Sequence, residues 1–361
     1  MSDCAMASLF DPFVLKSVTL RNRIGVSPMC MYSAQDGVAN DWHLVHLGTR
    51  AAGGAGLVIA EATAVLPEGR ITPGCTGLWN DAQIEPMARI TRFVKAQGAV
   101  AGIQIGHAGR KAGAARPWDG GAQLNDAQGG WGTVAPSALA FGGTLARVPQ
   151  ELSLADIARV QGAFVAAARR ALAAGFEWLE LHGAHGYLAH QFLSPLSNCR
   201  QDGYGGSFQN RTRFMLETVR AVRAVWPEHL PLTARISCTE WVEGGWTIEE
   251  SVELARRFKA EGLDLVDCSS GGGVATAKVP VGAGYQVAFA ERIRREAGIA
   301  TAAVGLIVEP RQADEIVRQG QADVVLLARE LLRDPYWPRR AAQALREEKR
   351  LAPPPQYARA W

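Results

Sequence analysis

The feature that most constrains the fold is a short apolar run followed by a longer amphipathic segment, repeated eight times along the chain. The runs begin at Arg23, Gly56, Val100, Phe176, Pro231, Leu263, Ala300 and Ala322. They are apolar almost throughout, as strands buried on both faces of a parallel sheet are. Eight strand–helix units predict an α/β fold, a single (β/α)₈ TIM barrel over residues 1–361. A doubly wound sheet is the structural alternative, but the glycine fingerprint after its first strand is missing.

Several of the segments between these runs carry helix signals at their ends. Ser153 opens the capping box "SLAD", and Gly175 follows the predicted helix. Thr247 opens "TIEE", and that helix is predicted to end before Gly262. Pro310 stands where the first turn of a helix tolerates proline.

One stretch, from Ala108 to Leu152, breaks the repeat. It is rich in glycine, proline and alanine and contains Trp118 and Trp131. A loop of this length in a compact domain is usually a lid or a binding loop. Because it follows the carboxyl end of the third strand, we expect the insertion (residues 108–152) to lie over the catalytic face.

The composition argues against several classes of protein. No run approaches 18 apolar residues, so we expect no transmembrane helix and no membrane partner. The net charge is only +3 and the charges are dispersed, which argues against a nucleic-acid surface. The six cysteines are widely spaced without a C-x-x-C, and the N-terminus lacks a signal-peptide pattern. We therefore expect reduced thiols and a cytoplasmic protein.

In a barrel, polar residues at the carboxyl ends of the strands converge on one site. "HGAHGYL" follows the fourth strand and contributes His182, His185 and Tyr187. A metal site needs three or four ligands, and His107 could be a third. Carboxylates near the strand ends are few, however, and no His-x-His follows the first strand. A structural pair, a pair that donates hydrogen bonds to an oxygen, and a metal site all remain open from these residues.

Arg235 lies within an otherwise apolar strand, where a charge is costly without an electron-rich partner. That partner is either a carboxylate on a neighbouring strand or a ligand such as a reduced flavin. Gln104 could hydrogen-bond to the edge of the same flavin ring, or it could belong to a layer of side chains that fills the inside of the barrel. The seventh and eighth strands end in "AVGLI" and "LARE", the usual phosphate position of this fold.

Taken together, the sequence resembles the old yellow enzyme family of FMN-dependent ene-reductases over essentially its whole length. The bacterial branch typified by YqjM and xenobiotic reductase A is the most similar. The resemblance rests on "SPMCMY", "GIQIGHAGRK", "HGAHGYLAHQFLSPLSN" and "RQDGYGGSFQNRTRF", in this order. It implies tightly bound FMN, NADPH or NADH as hydride donor, and reduction of the C=C bond of an enone. It also implies a homodimer or homotetramer.

The resemblance further implies a role for each matching residue. Those that would contact the flavin ring are Ser27, Pro28, Met29, Cys30, Ala62, Gln104 and Arg235, and those that would hold its phosphate are Gly305, Ala328 and Arg329. Those that would serve the substrate are His182 and His185 on its oxygen, with Tyr32 and Tyr187 lining the pocket. Cys30 would tune the flavin, and Tyr187 or water would give the proton. From the tail (residues 351–361), Arg359 would reach the site of a neighbouring subunit.

Two positions depart from the family pattern. Ala328 stands where relatives often carry glycine, which a negative φ would make tolerable. Val304 stands where xenobiotic reductase A has a tryptophan, which suggests a roomier pocket. The alternatives are a metal-dependent barrel hydrolase, a non-catalytic flavin-binding barrel, and the reductase half of a 2,4-dienoyl-CoA reductase. The last requires an iron–sulfur cysteine cluster, for which the sequence has no pattern.

Overall fold

The computed structural model describes residues 7–361, and its centre is a closed barrel of eight parallel strands. Within these residues the strands are β1 (Phe13–Leu15), β2 (Val18–Leu20), β3 (Ile24–Val26), β4 (Leu57–Ala64), β5 (Val100–Gly106), β6 (Val134–Ala135), β7 (Gln150–Glu151), β8 (Trp178–Gly183), β9 (Leu232–Ser237), β10 (Leu265–Ser269), β11 (Ala300–Ala303) and β12 (Val324–Leu327). The barrel order is β3-β4-β5-β8-β9-β10-β11-β12, and β12 pairs with β3. Each of the eight apolar runs supplies one barrel strand, which confirms the predicted TIM barrel.

Helices connect the strands and cover the outside of the barrel. Within the same residues they are α1 (Asp41–Ala52), α2 (Ile84–Ala96), α3 (Leu154–Ala173), α4 (Leu188–Leu193), α5 (Phe208–Arg223), α6 (Ile248–Ala260), α7 (Val287–Ala297), α8 (Pro310–Arg318), α9 (Arg329–Arg333) and α10 (Trp337–Leu345). Ser153 and Thr247 are N-caps with complete capping boxes, and Pro310 begins α8, as predicted.

The strands are buried on both faces because side chains fill the barrel inside and helices cover it outside. The apolar face of α3 shows the outer layer, since Ile157, Val160 and Phe164 are all buried against the barrel. Within residues 7–361 no helix has both the length and the apolar character needed to cross a membrane.

Two features lie outside the barrel. An antiparallel hairpin of β1 and β2 precedes it, which the sequence pattern did not predict. The insertion is ordered by three 3-10 turns and by the short parallel pair β6 and β7. It contacts the loop after β3, because Arg116 Nε donates to the Tyr32 carbonyl at 2.9 Å and the rings of Trp118 and Tyr32 lie 6.1 Å apart. Its role as a lid stays a prediction.

Candidate active site

The two histidines of "HGAHGYL" lie side by side at the carboxyl end of β8. Their ring centroids are 5.2 Å apart, and the Tyr187 ring lies 4.9 Å from that of His182. His185 has a φ of +58°, a left-handed conformation that costs a non-glycine residue roughly 1–2 kcal/mol. The Ser237 hydroxyl accepts the His185 N–H at 2.9 Å, and Lys111 Nζ donates to the His185 carbonyl at 2.9 Å. These bonds hold the turn in its strained conformation.

Both imidazoles are neutral at neutral pH. Burial lowers the pKa of His182 and of His185 well below the ordinary value, and the nearby Arg235 charge lowers both further. A neutral ring carries one N–H and one acceptor nitrogen. The backbone N–H of Ala184 donates to His182 Nδ1 at 3.3 Å, so the proton of His182 is on Nε2.

Burial shifts the pKa of the tyrosine and of the lysine near this pair as well. Burial raises the pKa of Tyr187 above its usual range, so its hydroxyl stays protonated. Burial and the neighbouring Arg110 lower the pKa of Lys111 to about 8. Within residues 7–361 no three histidine, cysteine or carboxylate side chains are grouped to hold a metal ion.

Arg235 on β9 is buried and faces two partners. Its Nε lies 2.9 Å from Asp267 Oδ2 on β10, and its Nη2 donates to Ser27 Oγ at 2.9 Å. The salt bridge to a neighbouring strand, one of the two alternatives, is therefore present. The second terminal nitrogen, Nη1, makes no hydrogen bond within the described residues, and it leaves donors for a ligand at the barrel mouth.

Gln104 on β5 is oriented by a carboxyl group that the sequence inventory missed. Its Nε2 donates to Glu180 Oε1 at 2.8 Å, and both side chains are buried. Burial and the charge of Asp267 raise the pKa of Glu180 to about 8, against the opposing effects of Arg235 and Gln104. The signal was Glu180, a glutamate inside the apolar stretch "WLEL".

The loop after β3 carries Ser27, Pro28, Met29 and Cys30, of which Ser27 is buried and the others half-buried. Burial raises the pKa of the Cys30 thiol well above its ordinary value, and the charge of Glu61 adds to the rise. Cys30 is therefore a thiol rather than a thiolate at neutral pH.

A cavity joins the second, third and fourth barrel strands. It is lined in part by Ala62, Gly106, His107, His182 and Tyr187. The structure thus brings Ala62 from β4 next to the residues that follow β8. Convergence of the strand ends in a barrel accounts for this grouping of residues that are far apart in the sequence.

A second cavity lies at the ends of β11 and β12, and Gly305, Ala328 and Arg329 line it. Gly305 has a φ of +128°, and a Cβ added there would lie 3.0 Å from Gln286 Nε2. Ala328 has a φ of −106° and a ψ of −99°, a combination outside the main allowed regions. The φ itself is negative, the condition on which an alanine is tolerable here, and Arg329 is exposed beside it.

The C-terminal tail is not joined to the histidine pair within one chain. Arg359 is exposed, and it has no hydrogen bond or ion pair to the site among residues 7–361. The rings of Tyr357 and Trp361 lie 6.1 and 6.3 Å from that of Tyr336.

Val304 is buried, and its carbonyl accepts from Gln286 Nε2 at 2.9 Å.

Several further polar residues support the site, and motif reasoning missed them. Lys111 from the insertion, Ser237 at the end of β9 and Ser269 at the end of β10 all contact His185. The rule that strand ends converge would have found the two serines, since each is the last residue of its strand.

The donor set fits an anionic aromatic cofactor. Arg235 offers an unused terminal nitrogen at the barrel mouth, Arg329 offers an exposed guanidinium, and the glycine at 305 leaves room for close approach. The two cations lie at strand ends, where this fold binds ligands.

Comparison with known proteins identifies the family. A family model described as the NADH:flavin oxidoreductase / NADH oxidase family matches residues 8–348. The chain is 49% identical over 355 residues to an NADPH dehydrogenase of Geobacillus sp. (strain WCH70), covering 98% of both sequences. Among solved structures it is similar to morphinone reductase in complex with tetrahydroNAD, with a TM-score of 0.78, 28% identity, and 94% and 91% of the two chains covered. It is also similar to the old yellow enzyme homologue from Zymomonas mobilis, with a TM-score of 0.78, 27% identity, and 94% and 93% covered.

The family match covers most of the chain, and the relatives align over nearly their full lengths. The chain therefore belongs to the NADH:flavin oxidoreductase / NADH oxidase family, as an FMN-dependent oxidoreductase of the old yellow enzyme type that takes its electrons from a reduced nicotinamide.

Proposed function

We propose that this enzyme reduces the C=C bond of α,β-unsaturated carbonyl compounds, with His182 and His185 binding the activating oxygen. The observation that carries the proposal is the pair of neutral imidazoles with ring centroids 5.2 Å apart. Two N–H donors converging on one oxygen stabilise the negative charge that develops there as the alkene is attacked. Their effect therefore belongs to the transition state.

In this proposal the chain holds FMN along the barrel mouth. When bound there, FMN would supply the hydride chemistry, with NADPH or NADH as donor and the β-carbon of the enone as acceptor. The residues that would contact the ring are Ser27, Pro28, Met29, Cys30, Ala62, Gln104 and Arg235. Arg235 would bring positive charge to the flavin, which gains negative charge on reduction. Gly305, Ala328 and Arg329 would hold the phosphate.

Tyr32 and Tyr187 would line the substrate pocket. The raised pKa of Tyr187 keeps its proton on the hydroxyl until a strongly basic carbon is formed. A Tyr187→Phe variant decides whether Tyr187 or water supplies the proton to the α-carbon. If water does, enone turnover survives the substitution.

The insertion (residues 108–152) would cover this pocket as a lid, and its contacts to Tyr32 support that role. The chain would work in the cytoplasm as a homodimer or homotetramer. In that assembly Arg359 from the exposed tail would complete the site of a neighbouring subunit. Sedimentation of the purified protein tests the assembly.

The deciding experiment is a visible spectrum of the purified protein, followed by anaerobic addition of NADPH and then 2-cyclohexenone. We expect a yellow protein that bleaches with NADPH and recovers its colour with the enone. A colourless protein that takes up no FMN would defeat the proposal, and a metal-dependent hydrolase would then be tested with zinc. Bound FMN without NADPH oxidation would indicate a non-catalytic flavin-binding barrel.

A further inference from the structure

We infer that Ser269 sets the tautomer of His185, so that the Nδ1–H of this imidazole, and not its Nε2–H, faces the substrate oxygen. The inference rests on the proposed function and adds a positioning residue to it. Ser269 is the last residue of β10, and its Oγ lies 2.7 Å from His185 Nε2. Ser269 therefore ends one barrel strand, and His185 follows another, β8.

The hydroxyl hydrogen of Ser269 has two possible acceptors. His185 Nε2 is 2.7 Å away, whereas Gln286 Oε1 is 3.5 Å away, at the limit of a hydrogen bond. Gln286 Oε1 already accepts a bond of 2.6 Å from Ser270 Oγ. Because the contact to Gln286 is the much longer of the two, we assign the Ser269 hydroxyl hydrogen to His185 Nε2. Because the neutral ring has only one proton, that proton is on Nδ1.

His182 has the opposite tautomer. A backbone N–H can only donate, so the bond from Ala184 makes His182 Nδ1 an acceptor and leaves the proton on Nε2. The pair thus offers an Nε2–H from one ring and an Nδ1–H from the other. With the wrong tautomer, His185 would turn a lone pair instead of a proton toward the oxygen, and one donor would be lost.

The backbone of His185 is held independently of Ser269. Its N–H donates to Ser237 Oγ at 2.9 Å, and Ser237 Oγ donates in turn to the Gly271 carbonyl at 2.8 Å. Removing the Ser269 hydroxyl therefore releases the choice of tautomer while the imidazole keeps its attachment to the turn.

The test is ¹⁵N NMR of the FMN-loaded enzyme labelled in its histidine rings, at neutral pH and without substrate. We expect a protonated, pyrrole-type Nδ1 and a pyridine-type Nε2 for His185, and the reverse for His182. A His185→Gln sample assigns the signals. Ser269→Ala should move the His185 signals toward a protonated Nε2.

Turnover provides the second readout. With Ser269→Ala we expect kcat/KM for 2-cyclohexenone to fall about tenfold, as when one hydrogen bond of ordinary net strength is lost. FMN content and reduction by NADPH should be unchanged. A protonated Nε2 on His185 in the unsubstituted enzyme, or unchanged ring signals in Ser269→Ala, would overturn the inference. If the ring signals agree but the enzyme reduces no enone, the proposed function fails and the tautomer assignment stands.

Discussion

Replacing His182 by alanine should separate the two halves of the catalytic cycle. His182 is only 5% exposed, and the backbone N–H of Ala184 holds its Nδ1, so Nε2–H is fixed toward the cavity. Its pKa lies well below the ordinary range, so the substitution removes a neutral donor and no charge. Reduction of the bound flavin by NADPH should therefore change little, whereas the step that develops negative charge on the enone oxygen should slow.

The size of the effect follows from the loss of one of two donors in a buried site. Removing one such donor costs on the order of 10²- to 10³-fold in kcat, about 2.7–4 kcal/mol. We expect about 10²-fold, because His185 remains and water can occupy the space left by the ring.

Stopped-flow absorbance at the flavin band measures the two half-reactions separately, with NADPH and then with 2-cyclohexenone. His229→Ala is the matched control, because His229 is exposed and precedes β9 at its amino end, away from the site. The control should show the rates of the unsubstituted enzyme in both half-reactions. Enone turnover that survives in a flavin-loaded His182→Ala enzyme would refute the donor role of His182.

Four further predictions test other parts of the structure. Arg235→Gln should leave buried Asp267 without its cation and weaken flavin retention, measured as FMN lost on dialysis; full retention would contradict a flavin contact. Burial lowers the pKa of His107 to about 4, so below about pH 6.5 the unfolded chain binds a proton that the folded chain does not. His107 should therefore reduce the free energy of unfolding by at most about 1.4 kcal/mol per pH unit as the pH falls toward 4. Urea unfolding at pH 7 and pH 5 measures this loss of stability, which should be smaller in His107→Gln than in the unsubstituted enzyme. Ser153→Ala removes a capping box and should lower the free energy of unfolding, measured with urea, by about 1 kcal/mol without changing the flavin content. Equal stability would show that another group caps the helix in the variant. Arg359→Ala should leave thermal unfolding unchanged but raise the KM for 2-cyclohexenone, and an unchanged KM would argue against a tail that completes a neighbouring site.

The sequence predicted the barrel because the physical cause of each strand is local. A strand buried on both faces is apolar along most of its length, and each of the eight runs shows this without reference to any other part of the chain. The caps were equally predictable, since Ser153 meets its partner Asp156 only three residues away. The hairpin of β1 and β2 was missed because its two strands have three residues each, too few to show a period.

The candidate site was predictable only in outline. The convergence of strand ends in a barrel was enough to group His182, Arg235 and Gln104. It could not show that Glu180 orients Gln104, or that Asp267 pairs with Arg235, because those contacts depend on the register between neighbouring strands.

The sequence by itself therefore determined the fold class, the positions of the strands and the residue types available at the barrel mouth. Only the tertiary structure decided which nitrogen of each histidine carries the proton. His185 and Ser269 are 84 residues apart along the chain, and their atoms are 2.7 Å apart in the fold. A distance of this kind is set by barrel closure and by the left-handed turn at His185, and neither has a local signal in the sequence.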